Sequence, residues 1–221
     1  MDLMQAINAR HSVRQYLDKP LERNIIAELE KEIELCNGES GLHIQLVTNE
    51  PKAFSGFMAH YGKFDGVSNY IALIGKKAKD FEEKCGYYGE RLVLKAQQLG
   101  LNTCWVAMTY SKIKGAYTVD KGEKLCVVIA LGYGKTQGTA HKSKTIEQTA
   151  RAEENMPEWF KNGVEAALLA PTAMNQQKFM LELKENKVMA KAGSGFYTEL
   201  DLGIVKYHFE IGAGKDNFEW A

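Results

Sequence analysis

Two short stretches gather side chains that could hold a polar ligand. The first is Arg10-His11-Ser12-Val13-Arg14-Gln15-Tyr16. Its arginines, imidazole and hydroxyl suit a phosphate monoester. The planar guanidinium fork matches phosphate oxygens, and each charge-assisted hydrogen bond contributes about 1.5–3 kcal/mol. If Val13 packs inward along an extended segment, Ser12 and Arg14 share the opposite face. Taken alone, the same stretch reads equally as a solvated basic turn. The second stretch is Pro171-Thr172-Ala173-Met174-Asn175-Gln176-Gln177. Its hydroxyl and three amides can hydrogen-bond a polar ring or a polyol.

The elements that must position these residues follow from periodicity. Asp2 caps a short helix ending near Ala9, so the arginine segment lies at a helix exit. Ile25, Ile26, Leu29 and Ile33 predict a helix from Leu21 to about Cys36, stopped by Asn37-Gly38-Glu39-Ser40-Gly41. Leu42, Ile44 and Leu46 alternate as in a strand, and Asn69–Ile74 forms a buried one. A long helix is expected over Lys79–Leu99, with Phe81, Cys85, Tyr88, Leu92, Ala96 and Leu99 on one face. Gly86 and Gly89 inside it each cost about 1 kcal/mol against alanine, which close approach of another backbone would explain. Thr103–Met108 and Lys124–Leu131 read as strands, followed by a polar loop over Gly132–Lys144. Pro157 opens another helix that Pro171 ends, with Trp159 and Phe160 as packing residues. Phe179–Leu183 reads as a strand, and Leu200–Ile211 as a helix stopped by Gly212.

An internal repeat is visible in this order. Glu22–Thr48 lies on Pro157–Leu183 without a gap, matching Ile25 with Phe160, Leu29 with Val164, Ile33 with Leu168 and Ile44 with Phe179. Any two helix–turn–strand units share some of this pattern, but a duplication is the preferred reading. It divides the chain into a half over 1–150 and a shorter half over 151–221, packed as one compact unit. The turn of the first copy holds Glu39, whose carboxylate would repel a phosphate, so one ligand site per chain is expected.

Bulk properties narrow the function. The 221 residues, 45% of them hydrophobic, can bury a sizeable core. Lysine plus arginine equals aspartate plus glutamate, at 28 each. This neutral balance argues against nucleic-acid binding, though a small anionic ligand needs only local positive charge. The cysteines (Cys36, Cys85, Cys104, Cys126) form no C-x-x-C pair and the histidines no metal-binding spacing, so neither a disulfide framework nor a metal is expected. The first residues are too polar for a secretory leader, and no apolar run approaches membrane-spanning length, so the cytoplasm is the expected location. Gly132-Tyr133-Gly134-Lys135-Thr136 looks like part of a phosphate loop, but Ile129 occupies the position of that motif's first glycine.

In combination, four stretches resemble the FMN-dependent nitroreductase family. R-H-S-V-R-Q-Y with Asp18-Lys19-Pro20 is similar to that family's opening motif, and Leu169–Gln177 to its A-P-S-x-x-N-x-Q turn. Gly100-Leu101-Asn102-Thr103-Cys104-Trp105-Val106 resembles its G-L-G-T-C-W segment. Ala130–Gly134 with His141-Lys142-Ser143-Lys144 resembles its L-G-Y-P…K-x-R ending. One departure stands out: the A-P-T-A-M-N-Q-Q turn comes late in the chain, where ordinary members carry it soon after the first long helix. The chain therefore resembles a fused-repeat branch, in which one chain supplies both sides of a site that ordinary homodimers build from two subunits.

The resemblance implies an α+β nitroreductase-like fold, with a mixed, mostly antiparallel sheet, surrounding helices and two unequal fused halves. It implies FMN as cofactor and NADH or NADPH as electron donor. The acceptor would be a small molecule such as a nitroaromatic, quinone, free flavin or enoate, reduced with ping-pong kinetics. Arg10, His11 and Ser12 would hold the phosphate and ribityl chain, with help from Lys142 or Lys144. Arg14 would reach the pyrimidine edge of the ring. Pro171, Thr172, Ala173, Asn175 and Gln177 would close the site from the other half. Backbone near Trp105, Val106 and Ala107 would approach N5. No side chain would act as a nucleophile, and no nucleic acid or membrane partner is implied. The protein would be a monomeric pseudo-dimer or a homodimer. The alternative reading is a non-catalytic flavin-binding or flavin-delivery protein; Arg10, Ser12 and Arg14 together with Asn175 and Gln177 argue against a structural remnant without cofactor.

Overall fold

The computed structural model describes residues 1–221. In chain order the helices are α1 (Leu3–Ala9), α2 (Arg23–Ser40), α3 (Phe57–Tyr61), α4 (Phe81–Gln98), α5 (Ile146–Thr149), α6 (Glu158–Leu168) and α7 (Thr198–Ala213). The strands are β1 (Gln45–Val47), β2 (Asn69–Lys76), β3 (Asn102–Val106), β4 (Glu123–Gly132), β5 (Ala150–Ala152), β6 (Phe179–Lys184), β7 (Lys187–Ala192) and β8 (Glu219–Trp220). The chain divides into two units. The first comprises Ala9–Phe81 and Arg91–Thr139; the second comprises Met1–Asn8, Glu82–Glu90 and Ala140–Ala221.

The first unit is built on an antiparallel sheet of order β1-β2-β4-β3. The run Asn69–Gly75 is buried at every position, which accounts for its continuous apolar character in place of alternation. Tyr70, Ala72 and Ile74 pack with Phe54, Phe64, Val106, Val128 and Ala130 in one core cluster.

Helix α2 runs past the expected stop at Asn37. It continues through Gly38 to Ser40 and ends at Gly41, whose φ of 71° supplies the left-handed cap. The residues read as a polar turn are helix, and they are engaged locally. The Asn37 side chain bonds both backbone groups of Ile44, at 3.0 and 2.8 Å. Arg91 draws in Glu39 at 2.8 Å and Glu32 at 2.6 Å. Gly38 has nothing near the position a Cβ would occupy. Gly38→Ala should therefore stabilise the protein by about 0.5–1 kcal/mol through backbone entropy and helix propensity. Urea unfolding would read this directly, and a loss of stability would contradict the open geometry.

The second unit carries a sheet of order β5-β6-β7-β8, with parallel, antiparallel and parallel pairings. Three of these strands were not anticipated. The β6–β7 turn uses Glu185 at a φ of 55° and no glycine, while β5 and β8 span only three and two residues. Phe160, Phe209, Phe218 and Trp220 form a ring cluster, with Trp159 stacked on Phe218 at 5.8 Å.

Gly86 of α4 and Gly203 of α7 face one another's helices. A Cβ on Gly86 would fall inside van der Waals contact of the Leu200 carbonyl, and one on Gly203 inside that of the Glu83 carbonyl. The backbone approach expected for the glycines of α4 is present at Gly86. Helix α7 passes through Gly212, the residue expected to end it, and stops at Gly214 instead. Gly212 serves as a close-contact position against the Asn162 carbonyl.

One order of main elements occurs twice along the chain: helix, strand, strand, helix, strand. These are α2-β1-β2-α4-β3 and α6-β6-β7-α7-β8. In the first unit β4 separates β2 from β3; in the second, β8 pairs directly with β7.

Candidate functional site

The arginine segment belongs to the first unit and runs beside β3. The Val13 N–H donates to the Thr103 carbonyl at 3.0 Å, and Ser12 makes a parallel bridge to Thr103. The other edge of β3 pairs with β4, so Arg10–Arg14 extends the sheet. Val13 and Tyr16 turn into the core, and the Tyr16 hydroxyl donates to the Val13 carbonyl at 2.7 Å. Arg14 is left exposed on the other side of the segment and makes no ion pair. Its backbone is fixed on both sides: Asp65 N–H donates to the Arg14 carbonyl at 3.0 Å, and Tyr16 N–H to the Asp65 carbonyl at 2.9 Å.

Arg10, by contrast, is only 4% exposed. Arg14 and Arg10 both favour the ionised form of the Cys104 thiol, as does a hydrogen bond from Ser12. Burial is the largest influence and pushes that thiol up, so Cys104 is a neutral thiol beneath a cationic patch. Two cations and a hydroxyl on one short segment beside β3, with Arg14 exposed and in no ion pair, form a donor set that fits an oxyanion. Trp105 and Ala107 are half-buried and Val106 is buried, at the end of β3.

Asn102, read in the sequence only as part of the G-L-G-T-C-W-like segment, has a structural role. It is buried; its side-chain carbonyl accepts from Gly134 N–H at 3.0 Å and its amide donates to Gln137 at 3.1 Å. The loop after β4 is thereby held close to the arginine segment, where the Cβ position of Gly138 abuts His11.

The second donor set lies in the second unit. Lys142 and Lys144 are tied to the 171–177 turn. The Lys142 carbonyl accepts from the Asn175 and Gln177 amides, each at 2.9 Å. Lys144 N–H donates to the Gln177 side-chain carbonyl at 2.8 Å, and its ammonium to the Gln177 main-chain carbonyl at 2.7 Å. Gln177 also donates to the Asn175 side chain and is buried, so its amide is largely consumed within this knot. Asn175 and Lys142 are exposed and Thr172 half-buried; the Thr172 hydroxyl oxygen accepts from Gln177 N–H at 3.1 Å.

The turn itself is strained. Met174, Asn175 and Gln177 have φ of 52°, 54° and 46°. Each such non-glycine residue costs about 1–3 kcal/mol and persists only where its surroundings over-determine it. Met174 is 95% exposed, so no packing of its side chain stabilises the conformation.

Asp201, in the first turn of α7, underlies the turn and was missed by sequence reasoning. The signal was a lone acid inside the apolar run Leu200–Val205. It is 4% exposed; its carboxylate accepts from Ala173 N–H at 2.9 Å and from the Gln176 side chain at 2.7 Å. Burial pushes its pKa up from 3.8 to about 6, against the pull of those two bonds. The folded protein thus holds this proton more tightly than the unfolded chain. Its contribution to stability is complete below pH 3.8 and is lost as the pH rises through 6. Stability from this group should fall by up to about 3 kcal/mol between pH 4 and 7. Urea unfolding of Asp201→Asn beside the parent protein isolates that slope, and parallel pH curves would refute it.

One grouping elsewhere has metal-ligand residue types: His43, Asp120 and Glu123. His43 lies 2.9 Å from Glu123, and their hydrogen bond lowers the Glu123 pKa and joins the approach to β1 with the start of β4. The four cysteines are free. No helix is long and apolar enough to cross a membrane.

A sheet flanked by helices, an arginine segment along its edge strand and a strained amide-rich turn define an α+β protein of nitroreductase-like fold. The family described as "Putative TM nitroreductase" matches residues 2–213, and the chain belongs to it. Among solved structures, a "putative nitroreductase" of Thermotoga maritima is 23% identical. The match covers 98% of this chain and 85% of that one, with a TM-score of 0.65. A "putative nitroreductase in complex with FMN" of Desulfovibrio desulfuricans is 18% identical over 71% of this chain and 99% of its own, with a TM-score of 0.54. An "FMN-dependent nitroreductase" of Clostridium difficile is 19% identical over 63% and 91%, with a TM-score of 0.51. No curated protein matches the chain.

Proposed function

We propose that this chain is an FMN-dependent oxidoreductase that carries electrons from NADH or NADPH to a small acceptor such as a nitroaromatic or quinone. The observation that carries the reading is the placing of Arg10, Ser12 and Arg14 on one segment paired along β3, in a chain of the nitroreductase family. When bound, FMN would supply the redox chemistry, taking a hydride at N5 and giving it up to the acceptor.

The chain's own residues bind and orient. Arg10 and Ser12, with His11 beside them, hold a phosphate monoester. Exposed Arg14 offers a fixed positive charge to the electron-rich edge of a reduced ring, which raises its tendency to accept electrons. Thr172 and Asn175 are the residues of the second unit that would offer polar groups to the cofactor. Pro171, Ala173 and Gln177 shape the turn that carries them. Lys144 is committed to Gln177, so Lys142 is the freer cation of the pair. Backbone at Trp105, Val106 and Ala107 would lie toward the ring.

The test is the visible spectrum of the purified protein, repeated without oxygen after NADH or NADPH is added. A flavin spectrum that bleaches supports the reading and identifies the donor. A spectrum unchanged by either donor would overturn electron transfer. Failure to take up added FMN would overturn cofactor binding as well.

A further inference from the structure

We propose that Asp201 is a positioning residue for the cofactor site: its buried carboxylate holds the Ala173 N–H and the Gln176 side chain together, and so fixes the strained 171–177 turn that presents Thr172 and Asn175. The inference rests on the FMN reading only for what the turn is for; the holding role stands on the turn itself.

Each contact has a separate effect. The bond from Ala173 N–H fixes the main chain directly before the left-handed Met174 and Asn175. The bond from Gln176 is part of a fork, because the same nitrogen also donates to the Phe196 carbonyl at 2.7 Å. Asp201 thus ties the turn to α7, and Gln176 ties it to the approach to α7. The knot around Lys142, Lys144 and Gln177 holds Asn175 and Gln177, and leaves the Ala173 N–H and the Gln176 side chain to Asp201 and Phe196. Without Asp201 the span from Ala173 to Gln176 would relax toward the unstrained backbone available to non-glycine residues.

Only a carboxylate accepts at both oxygens. An asparagine there would present its own N–H₂ either to Ala173 N–H or to the Gln176 amide, donor against donor. Turning the Gln176 amide over would relieve that clash but place its oxygen against the Phe196 carbonyl. A protonated aspartate has the same defect. The groups packed on Asp201 offer no substitute. The turn carries no ionisable side chain, Lys178 directs its ammonium to the Ser194 carbonyl at 2.7 Å, and Glu199 of α7 is exposed. No cation pairs with the carboxylate, so its charge is stabilised by the two neutral donors and its place in the first turn of a helix.

A buried, unpaired carboxylate is unfavourable for the fold and favourable for the turn. Those two effects separate in experiment. Asp201→Asn should leave overall stability at neutral pH unchanged or higher, yet release the turn. In the unliganded protein, hydrogen exchange at Ala173–Gln176 should accelerate about tenfold or more while Ala167 and Phe209, in the helices beneath, keep their rates. FMN dissociation constants should rise about tenfold at pH 8, and the ratio of variant to parent should shrink to within about threefold at pH 5, where the parent's aspartate is largely protonated. Taking the ratio cancels the titration of the FMN phosphate itself. Gln176→Ala removes the fork and keeps the acid; it should accelerate exchange in the same residues.

Unchanged exchange in the turn of both variants would overturn the proposal, as would acceleration spread evenly over α6 and α7. If the parent protein takes up no FMN, the FMN reading fails, and the exchange measurement still decides the role of Asp201.

Discussion

Arg14→Ala should lose about 10- to 100-fold in affinity for FMN while its melting temperature stays within about two degrees of the parent, the loss expected for one charge-assisted bond to an anionic partner. The side chain is exposed and unpaired, so truncation leaves neither cavity nor orphaned carboxylate. Arg14→Lys should recover only part of the affinity, because an ammonium cannot reproduce the planar fork. Isothermal titration with FMN measures both effects, and a variant that purifies fully flavinated would remove Arg14 from the site. Arg10→Ala is the less discriminating experiment. At 4% exposure Arg10 is also a packing residue, so its removal would combine lost affinity with lost stability.

Gly86→Ala should destabilise the second unit by about 3 kcal/mol or more, the largest effect expected of any single methyl group in the chain. Two contributions oppose each other. Alanine gains about 1 kcal/mol over glycine in helix propensity. Against this, its methyl would fall on the Leu200 carbonyl, which is backbone and cannot rotate aside. Overpacking against movable side chains already costs about 1–3 kcal/mol. Here α4 and α7 would have to separate, dragging with them the ion pair of Glu83 with Lys206 and the fully buried pair of Glu90 with His208, 2.9 Å apart. Gly203→Ala should behave alike, since its methyl would meet the Glu83 carbonyl and the Tyr87 nitrogen. Chemical denaturation followed by tryptophan fluorescence reports on this unit through Trp159 and Trp220. A Gly86→Ala protein as stable as the parent would mean that the two helices do not touch as described. Gly38→Ala, the same chemical change in α2, carries the opposite expected sign.

What could be read from the sequence was set by how local its cause was. Helix α4 and strands β2 and β4 are long and strongly patterned, so periodicity located them. The inward turn of Val13, and with it the outward placing of Arg14, followed from alternation along one extended segment. Helix α2 misled because Asn37-Gly38 looks like a stop, whereas the decisive residue is Gly41, three positions further on. Strands β5, β7 and β8 were missed because each owes its strand state to a partner strand. The alternation in Lys187–Ala192 is weak and its turn contains no glycine. In the turn 171–177 the polar residues were legible as a group, but their division of labour was not. Gln177 is buried and occupied by Lys142 and Lys144, while Asp201 is distant in sequence. Burial of a single acid shows in sequence only as an exception to an apolar run, and such exceptions have many causes.

The second unit is assembled from three separated lengths of chain: Met1–Asn8, Glu82–Glu90 and Ala140–Ala221. As the polypeptide leaves the ribosome, the first unit has all its strands once Thr139 has emerged. By then Gly86 and the apolar side of the first half of α4 have been made, but α7, which is to cover them, has not. The 64 residues from Ala140 to Gly203 must still be synthesised before Gly203 can reach Gly86, at roughly 5–20 residues per second. The nascent chain therefore passes several seconds with a glycine-faced helical surface open, a period in which chaperones or a second nascent copy have access to it.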